Sequence, residues 1–356
     1  MKGYIIIGVV VLHLIILSGP LEHRDLDTIT QCFYLGLMGF FIISGYFFRP
    51  DRSIHDNISK RLKQLLISIV IVGVVLSSVM FLWMNLWGNY AQLGDLIGSI
   101  VYSLGLAGIG SPTVGESMIP LSLVAVTNYF MWVMLISFVV FYPTAKRVVT
   151  DKRMFIAAIV ILLVIECILA EFFQVKLPFF IQLVPIALAF MYSGAFLAQQ
   201  KVVEKVDSMA LRDYRMWIPL VICAVSAYLL VWAFPNRTGF DLMIFGDYGG
   251  YSVFPFYVES ILMFVVYTYM CMIISRIPLI SSVFTLVGKH TLALTFLHGF
   301  VAKFMLAPFC VFTTASMFPS YLSDAELLLV SIVTIIVIVV GCILRENYLA
   351  TRKAKE

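Results

Sequence analysis

Charged side chains are scarce in this sequence. Asp, Glu, Lys and Arg make up 12% of its 356 residues and hydrophobic residues make up 62%, whereas a soluble domain carries roughly 25% and 45–50%. This shortage excludes an ordinary soluble protein. The net charge of +4 is spread over many short loops and does not indicate a nucleic-acid partner. The composition predicts an all-α, polytopic membrane helical bundle, with residues 1–356 forming a single integral-membrane domain.

The sequence is also poor in cysteine. Its six cysteines lie in or beside apolar segments, and no two of them have the spacing of a metal site. We therefore expect neither disulfides nor a bound metal, and we assign the thiols to apolar packing. These residues are Cys32, Cys167, Cys223, Cys271, Cys310 and Cys342.

Long apolar runs are abundant. Ten segments are each about as long as a spanning helix, and most Lys and Arg residues fall in every second gap between them. This pattern predicts about ten transmembrane helices with both termini in the cytoplasm. The segments are residues 3–18, 30–48, 65–88, 128–145, 154–171, 177–198, 216–234, 254–275, 290–307 and 324–344. The outer side keeps Arg24, Lys176, Arg237 and Lys303.

Two long gaps fall on the outer side. The gap 89–127 has no Lys or Arg and contains a half-apolar stretch over 93–106, which indicates a re-entrant or interfacial segment. The gap 235–253 carries Asn236 and Asp241 among glycines and aromatic residues. That mixture suits the binding of a sugar, although it also builds ordinary turn-rich loops.

The first apolar run has a cation at its start, Lys2, and an imidazole inside it, His13. We interpret the run as a retained helix rather than a signal peptide, because the following segments are equally apolar. In a helix, His13 lies roughly 16 Å beyond Lys2, near the middle or outer half of the hydrocarbon core. Ionisable groups at that depth usually face a cavity and serve a function. A hydrogen bond to a neighbouring helix is the structural alternative for His13.

The second apolar run ends in a Ser44-Gly45 pair, and a basic stretch with Lys60, Arg61 and Lys63 follows it. The small pair allows either another helix or a ligand to approach closely. The three cations suit the anionic headgroup of a lipid or the phosphates of a bound cofactor. Plain positive-inside topology explains them equally well.

Four further groups within the apolar segments need an explanation: Trp132, Glu166, Glu259 and His298. Buried carboxylates and imidazoles usually find a partner or line a wet cavity. Glu259 and His298 are therefore candidates for substrate binding, and Glu166 is a candidate structural partner. Trp132 is either an anchor at the membrane interface or a substrate contact.

Three motifs occur in a fixed order along the chain. The first is a basic residue and a histidine separated by ten residues, here Lys2 and His13. The second is Phe-Phe-x-x-Ser-Gly-Tyr followed by a basic run, here residues 40–46. The third is Gly-Lys-x-Thr-Leu with a later histidine, here residues 288–292 and His298. Together they resemble the acyltransferase 3 family of integral-membrane enzymes, and within it the sugar O-acetylases of bacterial surface polysaccharides.

The resemblance implies transfer of an acyl group, usually acetyl from acetyl-CoA, to a hydroxyl of a surface or lipid-linked glycan at a bacterial cell membrane. Acetyl-CoA is then a co-substrate, no cofactor is permanently bound, and the partners are the glycan and membrane lipid. His13 is either the general base or a covalent acyl carrier. The groups assigned to the donor are Lys2, Ser44, Gly45, Lys60, Arg61 and Lys63. Those assigned to the acceptor are Trp132, Asn236, Asp241, Glu259 and His298. Where the family often has Trp-Phe-Leu, this chain has Trp-Val-Met from Trp132 onward.

Two other classes of function fit the topology. A transporter or flippase of a polysaccharide intermediate would explain ten helices with intramembrane His and Glu, but the sequence shows no inverted repeat. A non-catalytic subunit of a surface-polymer machine would leave every polar group structural. Acyl transfer predicts dependence on His13 and on a CoA thioester, whereas transport predicts counter-ion coupling through Glu259.

Overall fold

A computed structural model describes residues 1–18, 38–50, 53–87, 92–106, 128–169, 177–208, 214–233, 253–306 and 324–353. Within these ranges the regular elements are helices, and no strand occurs. The α-helices are α1 (Lys2–Ser18), α2 (Met38–Tyr46), α3 (Ile54–Val70), α4 (Ser77–Leu86), α5 (Leu93–Ser103), α6 (Asn128–Thr150), α7 (Lys152–Cys167), α8 (Val184–Gln199), α9 (Val202–Asp207), α10 (Tyr214–Ala233), α11 (Val253–Ser275), α12 (Pro278–Lys289), α13 (Thr291–Leu306) and α14 (Asp324–Lys353). A π-helical turn, Ile71–Leu76, joins α3 to α4, and a 3₁₀ turn, Pro178–Leu183, leads into α8.

The all-helical architecture is confirmed, and each of the ten predicted apolar segments overlaps a helix. Five helical stretches in the described part of the chain are long and apolar enough to cross a membrane. They are Arg61–Leu86, Tyr129–Thr150, Pro178–Gln199, Val253–Ser275 and Ala325–Arg352. The number is six if α12 and α13, which meet at a bend of 79°, count as one span. These helices fit a multi-pass membrane protein, while the count of ten and the side of each terminus stay predictions.

Helix α8 occupies the centre of the bundle. Its residues Val184 to Ala195 are all buried, and it packs against α2, α6 and α7. A helix that is apolar on every side needs neighbours on every side. The contact with α2 is the closest, because a Cβ atom added to Gly45 would lie 1.8 Å from the Met191 carbonyl oxygen, and one added to Gly194 would lie 1.9 Å from that of Ile42. The two glycines therefore bring the helix backbones together.

Gly194→Ala and Gly45→Ala are expected to destabilise the fold by roughly 1–3 kcal/mol each, because the added methyl group forces two packed backbones apart. Thermal unfolding in detergent measures this as a lower melting temperature. The matched control is Gly341→Ala in α14, where an added Cβ meets no atom within 4 Å. That variant should gain up to about 1 kcal/mol from helix propensity. Equal melting temperatures for Gly194→Ala and Gly341→Ala would contradict the assignment.

The start of α1 packs into the corner between α12 and α13. A Cβ atom added to Gly3 would lie 1.9 Å from the carbonyl oxygen of Phe284 and 2.9 Å from the backbone nitrogen of Gly288. The chain turns at His290, whose backbone N–H donates to the Val287 carbonyl oxygen at 3.1 Å. Because α12 packs against the first turn of α1, the third sequence motif lies beside the first motif in space.

The half-apolar stretch predicted over 93–106 forms helix α5 and packs against α4 and the π-helical turn. The hydroxyl groups of Ser77 and Ser99 lie 3.2 Å apart in this buried contact. At the end of α5, the indole N–H of Trp132 donates to the carbonyl oxygen of Ser103 at 3.0 Å. Trp132 therefore fastens α5 to α6.

Candidate active site

Residues from all three motifs meet around one cavity of about 220 Å³. The lining residues are Lys2, Phe40, Ile43, Ser44, Arg61, Gln64, Leu65, Phe130, Met131, Met134, Phe138, Gly288, Lys289, Thr291, Leu292 and Thr295. Lys2, Ser44 and Lys289 represent the first, second and third motifs, and Arg61 represents the basic stretch. Segments far apart in the sequence thus form one site between α1, α2, α3, α6, α12 and α13.

One end of the cavity carries its cations. The ammonium of Lys2 lies 5.5 Å from the ring centroid of Phe47, and the guanidinium of Arg61 lies 4.9 Å from that of Phe138. Aromatic faces at these distances attract a cation and hold it in place. Neither cation forms an ion pair with a carboxylate within the described ranges. Both are therefore available to an anionic ligand.

The third cation, Lys289, differs because it already has an acidic partner. Its ammonium donates to Glu346 of α14 at 2.7 Å, and both side chains are at least half exposed. The Nδ1 atom of His290 lies 4.0 Å from the other oxygen of the same carboxylate. An exposed pair of this kind contributes little to stability, so an incoming anion can compete for Lys289.

The other end of the cavity is apolar. Along α6 the lining residues Phe138, Met134 and Phe130 follow one another on one face, and the distance from Phe138 to Phe130 is roughly 12 Å along the helix axis. Phe130 meets Phe40 at this end, with ring centroids 5.9 Å apart. The cavity therefore runs from a cationic mouth to an apolar end, and Thr295 adds a hydroxyl to its wall.

His13 lies in α1, which starts at the cationic mouth. The helical rise places its backbone roughly 16 Å beyond Lys2, which is past the apolar end of the cavity. The side chains of His13 and Lys60 lie outside what the structure describes, as do Asn236 and Asp241 entirely. The roles assigned to these four residues stay predictions.

His298 is buried in α13, and its Nδ1 atom lies 2.8 Å from the carbonyl oxygen of Leu294. A carbonyl oxygen only accepts, so this contact puts a proton on Nδ1 and leaves Nε2 as the acceptor of a neutral ring. The hydrogen bond stays within α13 rather than joining two helices. His298 is one turn beyond Thr295 and does not itself line the cavity.

The remaining candidates lie elsewhere. Glu259 is fully buried in α11, Trp132 binds the end of α5, and Lys63 is exposed on α3; none of them lines the cavity. The substrate roles of these side chains stay predictions. Glu166 accepts a hydrogen bond from the Ile186 amide at 3.3 Å, in the first turn of α8. It therefore acts as a structural partner, because the first amides of a helix lack internal acceptors.

The second motif contributes one residue to the cavity and two residues to contacts between helices. Ser44 lines the cavity. At Gly45 the predicted close approach is made by helix α8, because the carbonyl oxygen of Met191 occupies the space that a side chain at Gly45 would need. The Tyr46 hydroxyl donates to Glu204 of α9 at 2.9 Å. Hydrogen bonds from the backbone amide of Glu204 and from Tyr46 lower the pKa of this carboxyl. Tyr46 therefore fastens α9 to the end of α2.

Sequence reasoning missed part of the cavity wall. Lys289 and Thr291 stood in the third motif without a role, and Thr295 follows one turn after Thr291 on the same face of α13. On α6, Met134 and Phe138 also repeat at the spacing of one helical turn. This periodicity marks a buried face, but it does not distinguish a cavity wall from an ordinary core.

A second cavity, of about 270 Å³, lies on the other side of Lys2. Ser275, Ser281 and Thr285 supply its hydroxyl groups. It shares Lys2 with the first cavity but contains neither Arg61 nor Lys289. The first cavity is therefore the better candidate for binding a highly charged anion.

Comparison with protein families supports the assignment by motif. A family model described as an acyltransferase domain, that of the acyltransferase 3 family, matches residues 1–346. Comparisons with curated proteins and with solved structures give no match. Because the family model covers nearly the whole chain, the protein belongs to the acyltransferase 3 family, and this membership supports an acyltransferase activity.

Proposed function

We propose that this protein transfers an acyl group, in the simplest case acetyl, from acyl-CoA to a hydroxyl of a surface or lipid-linked glycan. The observation that carries the proposal is the cavity in which all three motifs meet. Lys2 and Arg61 stand at one end of it without acidic partners among the residues that the structure describes, and aromatic and thioether side chains form the other end. CoA thioesters have the same polarity, with phosphates at one end and an acyl group at the other.

The donor would bind with its phosphates against Lys2, Arg61 and Lys289, and with Lys60 nearby on α3. Hydrogen bonds between such cations and phosphates are among the stronger ones in proteins. The pantetheine arm would pass Ser44 toward the apolar end. This orientation brings the thioester toward the depth of His13.

The chemistry requires one proton to move. As the acceptor oxygen attacks the thioester carbonyl carbon, a neutral imidazole at His13 takes the hydroxyl proton. The carbon–sulfur bond then breaks, and the departing CoA thiolate takes that proton from the imidazole. In the alternative route, His13 attacks the thioester first and carries the acyl group to the acceptor.

The proposed arrangement in the membrane follows from the charge pattern. Ten spanning helices with cytoplasmic termini in a bacterial cell membrane would put the cationic mouth on the cytosolic side, where acyl-CoA is made. The acceptor would enter from the outer side, where Asn236 and Asp241 are predicted to bind its hydroxyls. Trp132, Glu259 and His298 remain proposed acceptor contacts.

Purified protein in nanodiscs with radiolabelled acetyl-CoA tests the proposal. We expect CoA release that depends on a glycan acceptor, together with transfer of the label to that acceptor. A reaction without protein and one with heat-inactivated protein serve as controls. If well-folded protein released no CoA with any of several glycans and acyl chains, the proposal would fail and a flippase would become the better hypothesis.

A further inference from the structure

The cavity of about 270 Å³ on the other side of Lys2 has no role in the acyl transfer described above. Its volume is close to the lower end of the roughly 300–1,000 Å³ of small-molecule sites. Lys2 and Gly288 line this second cavity as well as the first, so the two cavities lie on either side of that pair. A single extended ligand that contacts Lys2 can therefore have one end in each cavity.

Two residues of α12 that line the second cavity carry hydroxyl groups without a hydrogen-bond partner. Ser281, Thr285 and Gly288 follow one another at intervals of one helical turn, which places them on one face of α12. Neither hydroxyl bonds to any residue that the structure describes. The neighbouring Ser282, which does not line the cavity, donates instead to the Pro278 carbonyl oxygen at 2.8 Å. The hydroxyls of Ser281 and Thr285 are therefore available to a ligand.

Aromatic rings form another part of this wall. Tyr4 and Phe284 both line the second cavity, and their ring centroids lie 5.7 Å apart. Lys2 is the one lining residue with a cationic side chain, and its ammonium lies 5.5 Å from the ring centroid of Phe47, which does not line this cavity. Beyond Lys2 the cavity therefore offers ring faces and hydroxyls rather than charged side chains. These groups suit a nucleoside, whose base stacks on aromatic rings and whose sugar forms hydrogen bonds.

We infer that the second cavity binds the adenosine half of the CoA donor; the inference rests on the proposed function. CoA carries its pyrophosphate between the pantetheine arm and the adenosine. With the phosphates at Lys2 and the pantetheine arm in the first cavity, the adenosine extends to the other side of Lys2. Along the axis of α12, Thr285 lies roughly 5 Å and Ser281 roughly 10 Å from Gly288, and a nucleoside has a similar length. The two hydroxyls hydrogen-bond the adenosine, and the aromatic rings pack against its base.

Removal of both hydroxyls tests the inference. We expect the double variant Ser281→Ala/Thr285→Val to raise the Kd for acetyl-CoA by roughly 5–100-fold, the effect of two lost neutral hydrogen bonds. The Kd for acetyl-phosphopantetheine, which lacks the adenosine half, should change by less than about twofold. Calorimetry on protein in nanodiscs measures both constants. The matched control is Ser282→Ala, exposed on the same helix and outside the cavity, with both constants unchanged.

Three results would overturn the inference. The first is a rise in the Kd for acetyl-CoA below about fivefold. The second is an equal rise for both donors, which would mean that the variant disturbs the phosphate or pantetheine site. The third comes from adenosine bisphosphate, the nucleotide half of CoA, which should compete with acetyl-CoA for the wild-type protein. Binding of both at once would make the second cavity a separate nucleotide site.

The inference and the proposed function fail in different ways. If the inference fails, the wild-type protein still transfers label from acetyl-CoA to a glycan. A wild-type protein that binds acetyl-CoA but transfers label to no acceptor would instead defeat the proposed function. In that case the Kd values of the double variant still decide where the adenosine binds.

Discussion

His13→Ala is expected to lower the rate of acyl transfer by roughly 10²–10⁴, the range that a general base contributes. The Kd for acetyl-CoA should stay near the wild-type value, because the groups proposed to bind the phosphates, Lys2 and Arg61, stand at the opposite end of the cavity. Initial rates of label transfer and direct donor binding measure the two effects separately. A drop in rate without a loss of binding would assign His13 to the chemical step.

The matched control is His55→Ala. His55 is exposed on α3 and does not line the cavity, so its removal should leave the rate unchanged. Wild-type protein incubated with labelled acetyl-CoA but no acceptor separates the two proposed roles of His13. Label retained on the protein favours an acyl-histidine, and its absence favours a general base. A rate for His13→Ala within about threefold of the wild type would exclude both roles.

Arg61→Met is expected to raise the KM for acetyl-CoA by roughly 10–100-fold, since a hydrogen bond to a charged group contributes about 1.5–3 kcal/mol. Arg61 lines the cavity and has no acidic partner in the described part of the chain. Its removal should therefore cost the full interaction with a donor phosphate. Steady-state kinetics at varied donor concentration measure this change.

S-acetylpantetheine, which carries the same thioester without the phosphates of CoA, makes this test specific. Its KM should be the same for the wild type and for Arg61→Met, because the lost partner is absent from the substrate. Arg147→Met is the matched control, since Arg147, on α6, is exposed and does not line the cavity. An equal rise in KM for both donors would show that Arg61 shapes the cavity rather than binding phosphate.

The amino-acid sequence by itself determined the class of the protein and three of the residues that line the candidate cavity. Hydropathy is a local property, so the scarcity of charge predicted helices wherever the ten apolar segments lie, and each segment overlaps one. Motif spacing is also local, and Lys2, Ser44 and Arg61 all line the cavity. The sequence left two partners open for Gly45, and the structure selected a helix, because the Met191 carbonyl oxygen occupies the space that a side chain would fill.

The tertiary structure decided how these pieces face one another. The 79° bend between α12 and α13 brings Lys289 to Lys2, at a point where Gly3, from a distant part of the chain, closely approaches Phe284. The burial of Lys303 in α13, without a hydrogen-bond partner among the described residues, likewise appears only when the neighbouring helices are in place. Helical periodicity and motif spacing describe each segment separately, whereas burial, bends and missing partners depend on packing between segments that the sequence separates by hundreds of residues.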